Sequence, residues 1–117
     1  IGDMVEQGSI EQHEHEKLAE AIIAANPEQV ILIGRRTREY TYPILRKQGI
    51  KANVFDDPKK ALEFIQQNAK NGETLLFKGS QYLEWIIEKL LLNSKDAERL
   101  PRREKAAEKR REKRGLN

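Results

Sequence analysis

The sequence predicts an α/β domain, and the prediction depends on three short apolar runs. These lie at residues 30–34, 52–55 and 74–78, and a stretch with helical periodicity follows each of them. The runs are continuous rather than alternating, which is typical of strands buried on both faces of a parallel sheet. A helix also precedes the first run, so the alternating order requires one more strand, truncated at residues 1–3. We therefore predict a Rossmann-like three-layer domain with a mostly parallel sheet and right-handed crossovers.

The first helix is predicted from Ser9 to about Ala25. Ser9 and Gln12 form an S-x-x-Q pattern, which is typical of a capping box. An Asn-Pro pair at Asn26 ends the helix. One stripe with i, i+3, i+4 spacing is expected to face the core: His15, Leu18, Ala19, Ile22 and Ile23.

Local signals also bound the later helices. The second is expected over residues 37–48, closed by Gly49, with Pro43 causing a kink or marking a late start. Asp57 and the proline after it supply an N-cap and a first-turn proline for the third. The last helix of the domain follows Gly79-Ser80, and its predicted buried face comprises Leu83, Ile86, Ile87, Leu90 and Leu91.

Charge divides the chain into two parts, an α/β domain at residues 1–92 and a basic helical tail at 93–117. Residues 102–114 contain eight Lys or Arg and three Glu, whereas the whole chain has a net charge of +3.

The chain has no cysteine, which excludes disulfides and thiolate metal sites. It has neither a secretory signal pattern nor an apolar stretch long enough for a membrane span, so a cytoplasmic location is expected.

Three polar clusters are predicted at the carboxyl ends of the strands, where open parallel sheets bind ligands. They are Gly2-Asp3 with Glu6, Gly34-Arg35-Arg36, and Lys78-Gly79-Ser80. Lys78 adds a positive charge, Gly79 allows close backbone approach, and Ser80 precedes free helix amides, a combination that suits a phosphate or carboxylate. The alternative interpretation is that Ser80 only caps the helix and Lys78 is solvated.

The other candidates also have structural alternatives. Asp3 and Glu6 could form a carboxylate pair or bond loop amides, and Arg35-Arg36 could hold an anion or be merely exposed. His13 and His15 lie about 200° apart around a helix, so they cannot chelate one ion. His15 falls on the apolar stripe, where a buried, hydrogen-bonded ring or a ligand contact is expected. No metal site and no catalytic residue is predicted.

The motifs resemble, in order and spacing, the C-terminal domain of the Mur ligase family, in the branch that adds D-alanyl-D-alanine. That family has a G-D-M-x-E-L-G element, a histidine in the next helix and a late K-G-S-[RQ] element. The matching residues here are Gly2, Asp3, Met4, Glu6, Gly8, His15, Lys78, Gly79 and Ser80. Gln7 replaces the leucine, Gln81 replaces the commoner arginine, and the following turn is shorter.

The resemblance implies part of an ATP-dependent amide ligase of peptidoglycan precursor synthesis. It assigns ATP, magnesium and the P-loop mainly to N-terminal and central domains that this sequence lacks, and gives this domain contacts to ATP and D-alanyl-D-alanine. No G-x-x-x-x-G-K-[ST] spacing occurs in the chain. We therefore expect a piece of a larger enzyme, inactive alone and with no cofactor of its own.

Two other functions remain open from the sequence. One is a non-catalytic Rossmann-like binding module, engineered or repurposed. The other is a nucleic-acid-associated protein that acts through the basic tail. The structural alternative for the tail is a solvated terminal helix that packs weakly on the domain through Ala106 and Ala107. The unpaired edge left by a missing strand is a further route to a homo-oligomer.

Overall fold

The computed structural model describes residues 1–79, 82–101 and 103–116 of an α/β protein built around a two-stranded parallel sheet. Strand β1 is Val30–Ile33 and strand β2 is Ala52–Phe55, paired in parallel with Val30 opposite Ala52 and Ile33 opposite Phe55. Both strands fall on predicted apolar runs. The prediction of buried strands is confirmed for β1, in which three of four residues are buried, whereas all four residues of β2 are only half-buried.

The amino-terminal segment continues this sheet beyond β1. Gly2 forms an isolated parallel bridge with Ile33. The Ile33 N–H donates to the Ile1 carbonyl at 2.8 Å, and the Asp3 N–H donates to the Ile33 carbonyl at 3.2 Å. On its other side, the Gly2 N–H donates to the Lys78 carbonyl at 2.9 Å. The segment predicted as a truncated strand therefore lies between β1 and Lys78, although it forms only this single bridge.

The prediction of a strand at residues 74–78 is wrong, because no residue there has strand pairing. The neighbour of this segment is the short stretch ending at Gly2. Among the described residues, Lys78 is therefore the one member of the segment that bonds the backbone of this neighbour. Leu75 and Leu76 remain 46% and 84% exposed. An extended apolar run forms a strand only when a neighbouring backbone supplies its hydrogen bonds.

The first helix is shorter at its start than predicted. A 3-10 turn, Gly8–Ile10, leads into helix α1, Glu11–Ala25. The expected capping box does not form: Ile10 occupies the N-cap position without a side-chain cap, and Gln12 donates to Glu16 at 2.7 Å. The predicted stripe is confirmed at His15, Leu18, Ala19 and Ile22, which are buried, whereas Ile23 is half-buried.

Helix α2, Tyr42–Lys47, follows directly on a π-helical turn, Thr37–Thr41. The Tyr42 N–H donates to the Thr37 carbonyl, five residues back. Pro43 stands next in the chain, in the first turn of α2. The wider π turn accommodates the proline, which has no N–H to give and would clash in a regular helix. Gly49 closes the helix with a φ of +72°, as predicted.

The remaining helices follow β2 and the 74–78 segment. They are α3 (Pro58–Asn68), α4 (Leu83–Leu90), a 3-10 helix (Ser94–Arg99) and α5 (Lys105–Lys113). Asp57 caps α3 by accepting the Lys59 N–H at 2.9 Å, which confirms the predicted cap. Within the described ranges, no helix is both long and apolar enough to cross a membrane.

Apolar clusters cover both faces of β1. Val30 and Leu32 pack with α1 and α2, whereas Ile33 packs with α3 and α4. This division follows from the alternation of side chains along a strand. Strand β1 is thus buried between two helical groups, whereas β2 is half-buried.

The tail packs against the helical group that contains α3 and α4. Ala107 and Leu116 are each 2% exposed, and Leu116 belongs to the cluster with α3 and α4. Arg103 and Arg111 donate to the Glu88 carboxylate at 2.8 and 3.4 Å. The guanidinium of Arg114 lies 5.6 Å from the Tyr82 ring centroid. Part of the positive charge of the tail therefore binds the body of the protein.

Candidate functional site

The predicted polar clusters converge at one end of the parallel ladder. We call this region the carboxyl edge and define it by residues 2–4, 33–37 and 78–79. Its parts are joined by backbone hydrogen bonds, from Asp3 to Ile33 and from Gly2 to Lys78. This arrangement agrees with the expectation that the three polar clusters lie at the same end of the sheet.

Asp3 is a buried carboxylate that caps the helical turn after β1. It accepts the Arg36 N–H at 3.1 Å and the Thr37 N–H at 2.8 Å. The Arg36 guanidinium lies 3.7 Å from the same carboxylate. Free amides and a positive dipole at a helix start favour a negative charge there. Asp3 thus supplies the negative charge at this helix terminus. Of the two roles expected from the sequence, it therefore has the bonding of loop amides and not the carboxylate pair.

Gly34 makes this arrangement sterically possible. A Cβ built on Gly34 would lie 2.5 Å from the Asp3 Cγ, and the residue has a φ of +124°. Any side chain would therefore collide with the Asp3 carboxylate and strain the backbone. Gly34, the last residue of the apolar run at residues 30–34, is therefore required because the Asp3 carboxylate lies beside it.

Both arginines of the second cluster face carboxylates. Arg36 bonds through Nε to Glu11, and Arg35 lies 2.5 Å from Glu39 and 3.7 Å from Glu11. The hydrogen bond to Glu11 raises the pKa of Arg36 above its ordinary value, against the opposing effect of burial, and the charges of Glu11 and Asp3 add to the rise. An added anion would have to compete with these partners.

His15 is fully buried and uses both ring nitrogens. Its Nε2 accepts the Met4 N–H at 3.2 Å, and its Nδ1 lies 2.7 Å from the Glu11 carbonyl. Since Nε2 accepts from an amide, the proton belongs on Nδ1, which donates to the carbonyl. His13 is exposed, so the two histidines face opposite sides as predicted. His15 thereby holds the segment after Asp3 against α1.

Lys78 and Gly79 close the other side of the edge. A Cβ on Gly79 would lie 2.6 Å from the Gly2 carbonyl oxygen, and Gly79 has a φ of +128°. The close approach that the sequence indicated is thus to the backbone of Gly2. The Lys78 side chain is exposed, and so is Glu6, which has a φ of +62°. Ser80 lies outside the described residues.

Sequence reasoning missed two residues that organise the edge. Glu11 contacts both arginines, and Thr41 Oγ1 donates to the His15 carbonyl at 2.9 Å. Glu11 precedes His15 by four positions, so both lie on one helix face. That spacing was the available signal for Glu11, whereas the Thr41 contact depends on the packing of two helices.

Comparison of the chain with protein-family models, curated proteins and solved structures finds no match. Among the described residues, no group of three or more His, Cys, Asp or Glu could hold a metal ion. A functional assignment therefore depends on the motifs and on the geometry of the carboxyl edge.

Proposed function

We propose that this chain is a C-terminal domain of an ATP-dependent amide ligase of the Mur type, which adds D-alanyl-D-alanine to a UDP-muramoyl peptide. The observation that carries the proposal is the hydrogen bond from Gly2 to the Lys78 carbonyl, 2.9 Å long. It joins the two motifs on which the resemblance depends, at the sheet end where α/β proteins bind ligands.

The fold in this proposal is a Rossmann-like three-layer domain. Its support is the parallel ladder, with helices α1 and α2 on one face and α3 and α4 on the other. The enzyme would be cytoplasmic. ATP and magnesium would be held mainly by other domains of the ligase, and closure of this domain would complete the site and exclude water.

The residues of the carboxyl edge divide into two groups in this proposal. Asp3 and His15 are buried and bonded to backbone groups, so they position the edge. Lys78 is an exposed charge of this edge, and Glu6 is an exposed charge three residues after Asp3. Lys78 would meet a phosphate or the dipeptide carboxylate, and Glu6 would meet the dipeptide ammonium, by simple charge complementarity.

Calorimetric titration of the full chain tests this function. Magnesium-ATP and D-alanyl-D-alanine are added separately at millimolar concentration, and at least one is expected to bind. Lys78→Ala should weaken that binding by about tenfold, as expected for loss of one charge-assisted contact. Lys47→Ala is the matched control, since Lys47 is exposed in the last turn of α2, near the start of β2 and hence at the opposite sheet end.

Binding of neither ligand, or equal weakening by both substitutions, would contradict the proposal. The non-catalytic binding module would then be the better interpretation. The nucleic-acid alternative predicts steeply salt-dependent binding that disappears when residues 101–117 are removed. Two tail cations, Arg103 and Arg111, are already bound to Glu88, which leaves less charge for that function.

A further inference from the structure

Residues 70–73 form an exposed turn between α3 and the 74–78 segment. The Glu73 N–H donates to the Lys70 carbonyl at 3.3 Å, which closes a β-turn with Asn71 and Gly72 at its centre. The Lys70 N–H donates to the Glu73 carboxylate at 2.8 Å. Asn71 and Gly72 are exposed, Gly72 has a φ of +88°, and a Cβ there would have nothing within 4 Å. The turn is therefore held by hydrogen bonds between its own residues, with open space beside Gly72.

The two groups that could react at this turn have no hydrogen-bond partner among the described residues. They are the side-chain amide of Asn71 and the N–H of Gly72. The backbone bond across the turn, from Glu73, is longer than the usual length of about 2.9–3.0 Å. Because an exposed turn with a weak closing bond opens locally at small cost, the Asn71–Gly72 peptide can rotate while the rest of the protein stays folded.

Asn71 and Gly72 together carry the reacting groups of asparagine deamidation. The Gly72 main-chain nitrogen gives its proton to water or hydroxide and attacks the Asn71 Cγ. The new N–Cγ bond closes a succinimide ring, the Cγ–Nδ2 bond breaks, and the leaving nitrogen takes a proton from water and departs as ammonia. Water then opens the ring at either carbonyl, which leaves aspartate or its β-linked isomer, isoaspartate. Glycine favours the ring closure because no Cβ hinders rotation of the peptide.

The structure sets the other internal asparagines apart from Asn71. Asn26 precedes a proline, which has no N–H to lose. The side chains of Asn53 and Asn93 accept hydrogen bonds at 3.2 and 3.1 Å, and that of Asn68 donates to its own helix at 2.8 Å. In each of these last three cases the next residue also carries a Cβ that crowds the attacking nitrogen. Asn71 is therefore the internal asparagine at which the structure opposes ring closure least.

We propose that Asn71 is a site of spontaneous covalent modification, at which the folded chain converts the side-chain amide to aspartate and isoaspartate. The product adds a negative charge beside Glu73, and the isoaspartate also adds an atom to the main chain of the turn. Gly72 and Glu73 lie on the wall of a cavity of about 600 Å³ that Phe64 also lines, so the modification changes this wall. The carboxyl edge lies at the other end of the 74–78 segment, and the inference does not rest on the proposed ligase function.

Peptide mapping by mass spectrometry tests the proposal on the full chain, incubated for several days at neutral pH in buffer or in guanidinium chloride. Trypsin cleaves after Lys and Arg, so each internal asparagine falls in its own peptide, and the peptide of residues 71–78 contains only Asn71. In buffer this peptide should convert to the aspartate and isoaspartate forms, while the peptides of Asn53, Asn68 and Asn93 stay unchanged. Its rate in buffer should lie within about tenfold of its rate in guanidinium chloride, because opening the turn costs little.

Gly72→Ala should slow the conversion by at least about tenfold, because the new Cβ hinders the attacking nitrogen. Gly49→Ala is the matched control: Gly49 has a φ of +72° and equally open space, so this variant adds similar strain and should leave the rate unchanged. If Gly72→Ala fails to fold, Asn71→Gln, whose longer side chain closes a less favourable ring, should leave the peptide unchanged.

An unchanged 71–78 peptide in buffer would overturn the proposal, and conversion in guanidinium chloride alone would show that the turn protects Asn71. Conversion of Asn53 or Asn68 in buffer as fast as that of Asn71 would overturn it too. So would equal rates in buffer for folded Gly72→Ala and the native chain.

Discussion

The Gly2 amide donates to the Lys78 carbonyl at 2.9 Å, and this bond joins the two ends of the α/β body. Gly79, the next residue after Lys78, packs on the Gly2 backbone and leaves no room for a Cβ. On its other side, the amino-terminal segment bonds Ile33. Three residues at the start of the chain thus connect β1 to the 74–78 segment and build the carboxyl edge.

Gly79→Ala should destabilise the protein by about 2–4 kcal/mol, because the new Cβ meets backbone atoms and the residue keeps a positive φ. Gly72→Ala is the control. Gly72 has a φ of +88°, but a Cβ there would have nothing within 4 Å, so this variant isolates the conformational cost. That cost should be about 1 kcal/mol in urea unfolding. Equal losses for the two variants would show that the contact with Gly2 contributes nothing.

Asp3 and Gly34 should be coupled energetically. Gly34→Ala places its Cβ 2.5 Å from the Asp3 Cγ, so this substitution should be strongly destabilising in the native sequence. In an Asp3→Ala background the clash disappears and only the backbone cost remains. A double-mutant cycle in urea should therefore give a favourable coupling of about 1–3 kcal/mol. Additive losses would contradict the contact.

His15→Leu should destabilise the fold by about 1–3 kcal/mol, although leucine is apolar and similar in size. The partly buried Met4 N–H, now 3.2 Å from Nε2, would lose its acceptor. His13→Leu is the matched control on the exposed face and should change stability by no more than about 0.5 kcal/mol. If thermal unfolding shows the same change for both, His15 does not hold this segment.

The buried amino group of Ile1 should make stability rise between pH 6 and pH 8. Its pKa falls from 8.0 to about 6 on folding, so the unfolded chain binds more protons in that range. Relative to an Nα-acetylated chain, the free energy of unfolding should rise by about 2–3 kcal/mol over the range. Parallel pH profiles for the two chains would show that the amino group is solvated.

The contact between Glu88 and the tail should weaken in acid. The hydrogen bond from Arg103 lowers the pKa of Glu88 below 4.5, helped by the charges of Arg103, Lys89 and Arg111. Its contribution is therefore complete above pH 4.5 and is lost as the pH falls through the lower folded-state value.

Glu88→Gln should cost about 1–3 kcal/mol at pH 7 in urea unfolding and progressively less below pH 4.5. Glu98→Gln, at an exposed carboxylate of the 3-10 helix, is the control. A constant difference between Glu88→Gln and the native chain at every pH would contradict ionic docking of the tail.

Several features set by neighbouring residues could be predicted from the sequence, although the Ser9–Gln12 capping box does not form. Hydrogen bonds between distant residues were harder to predict. The Asp57 cap, the buried β1 run and the inward position of His15 follow from local spacing. The state of residues 74–78 depends on a partner backbone, and their apolar pattern does not report whether one is present. Likewise, the Asp3 carboxylate turns toward the Arg36 and Thr37 amides only because the sheet aligns them.

Amide chemical shifts of the full chain, measured during titration with D-alanyl-D-alanine and with magnesium-ATP, test the ligand-binding function of the carboxyl edge most directly. We expect saturable shifts concentrated at Gly2, Arg36, Lys78 and Gly79 for at least one ligand, with little change at Lys47. No shift at millimolar ligand, or shifts confined to the tail or to α3, would contradict this function.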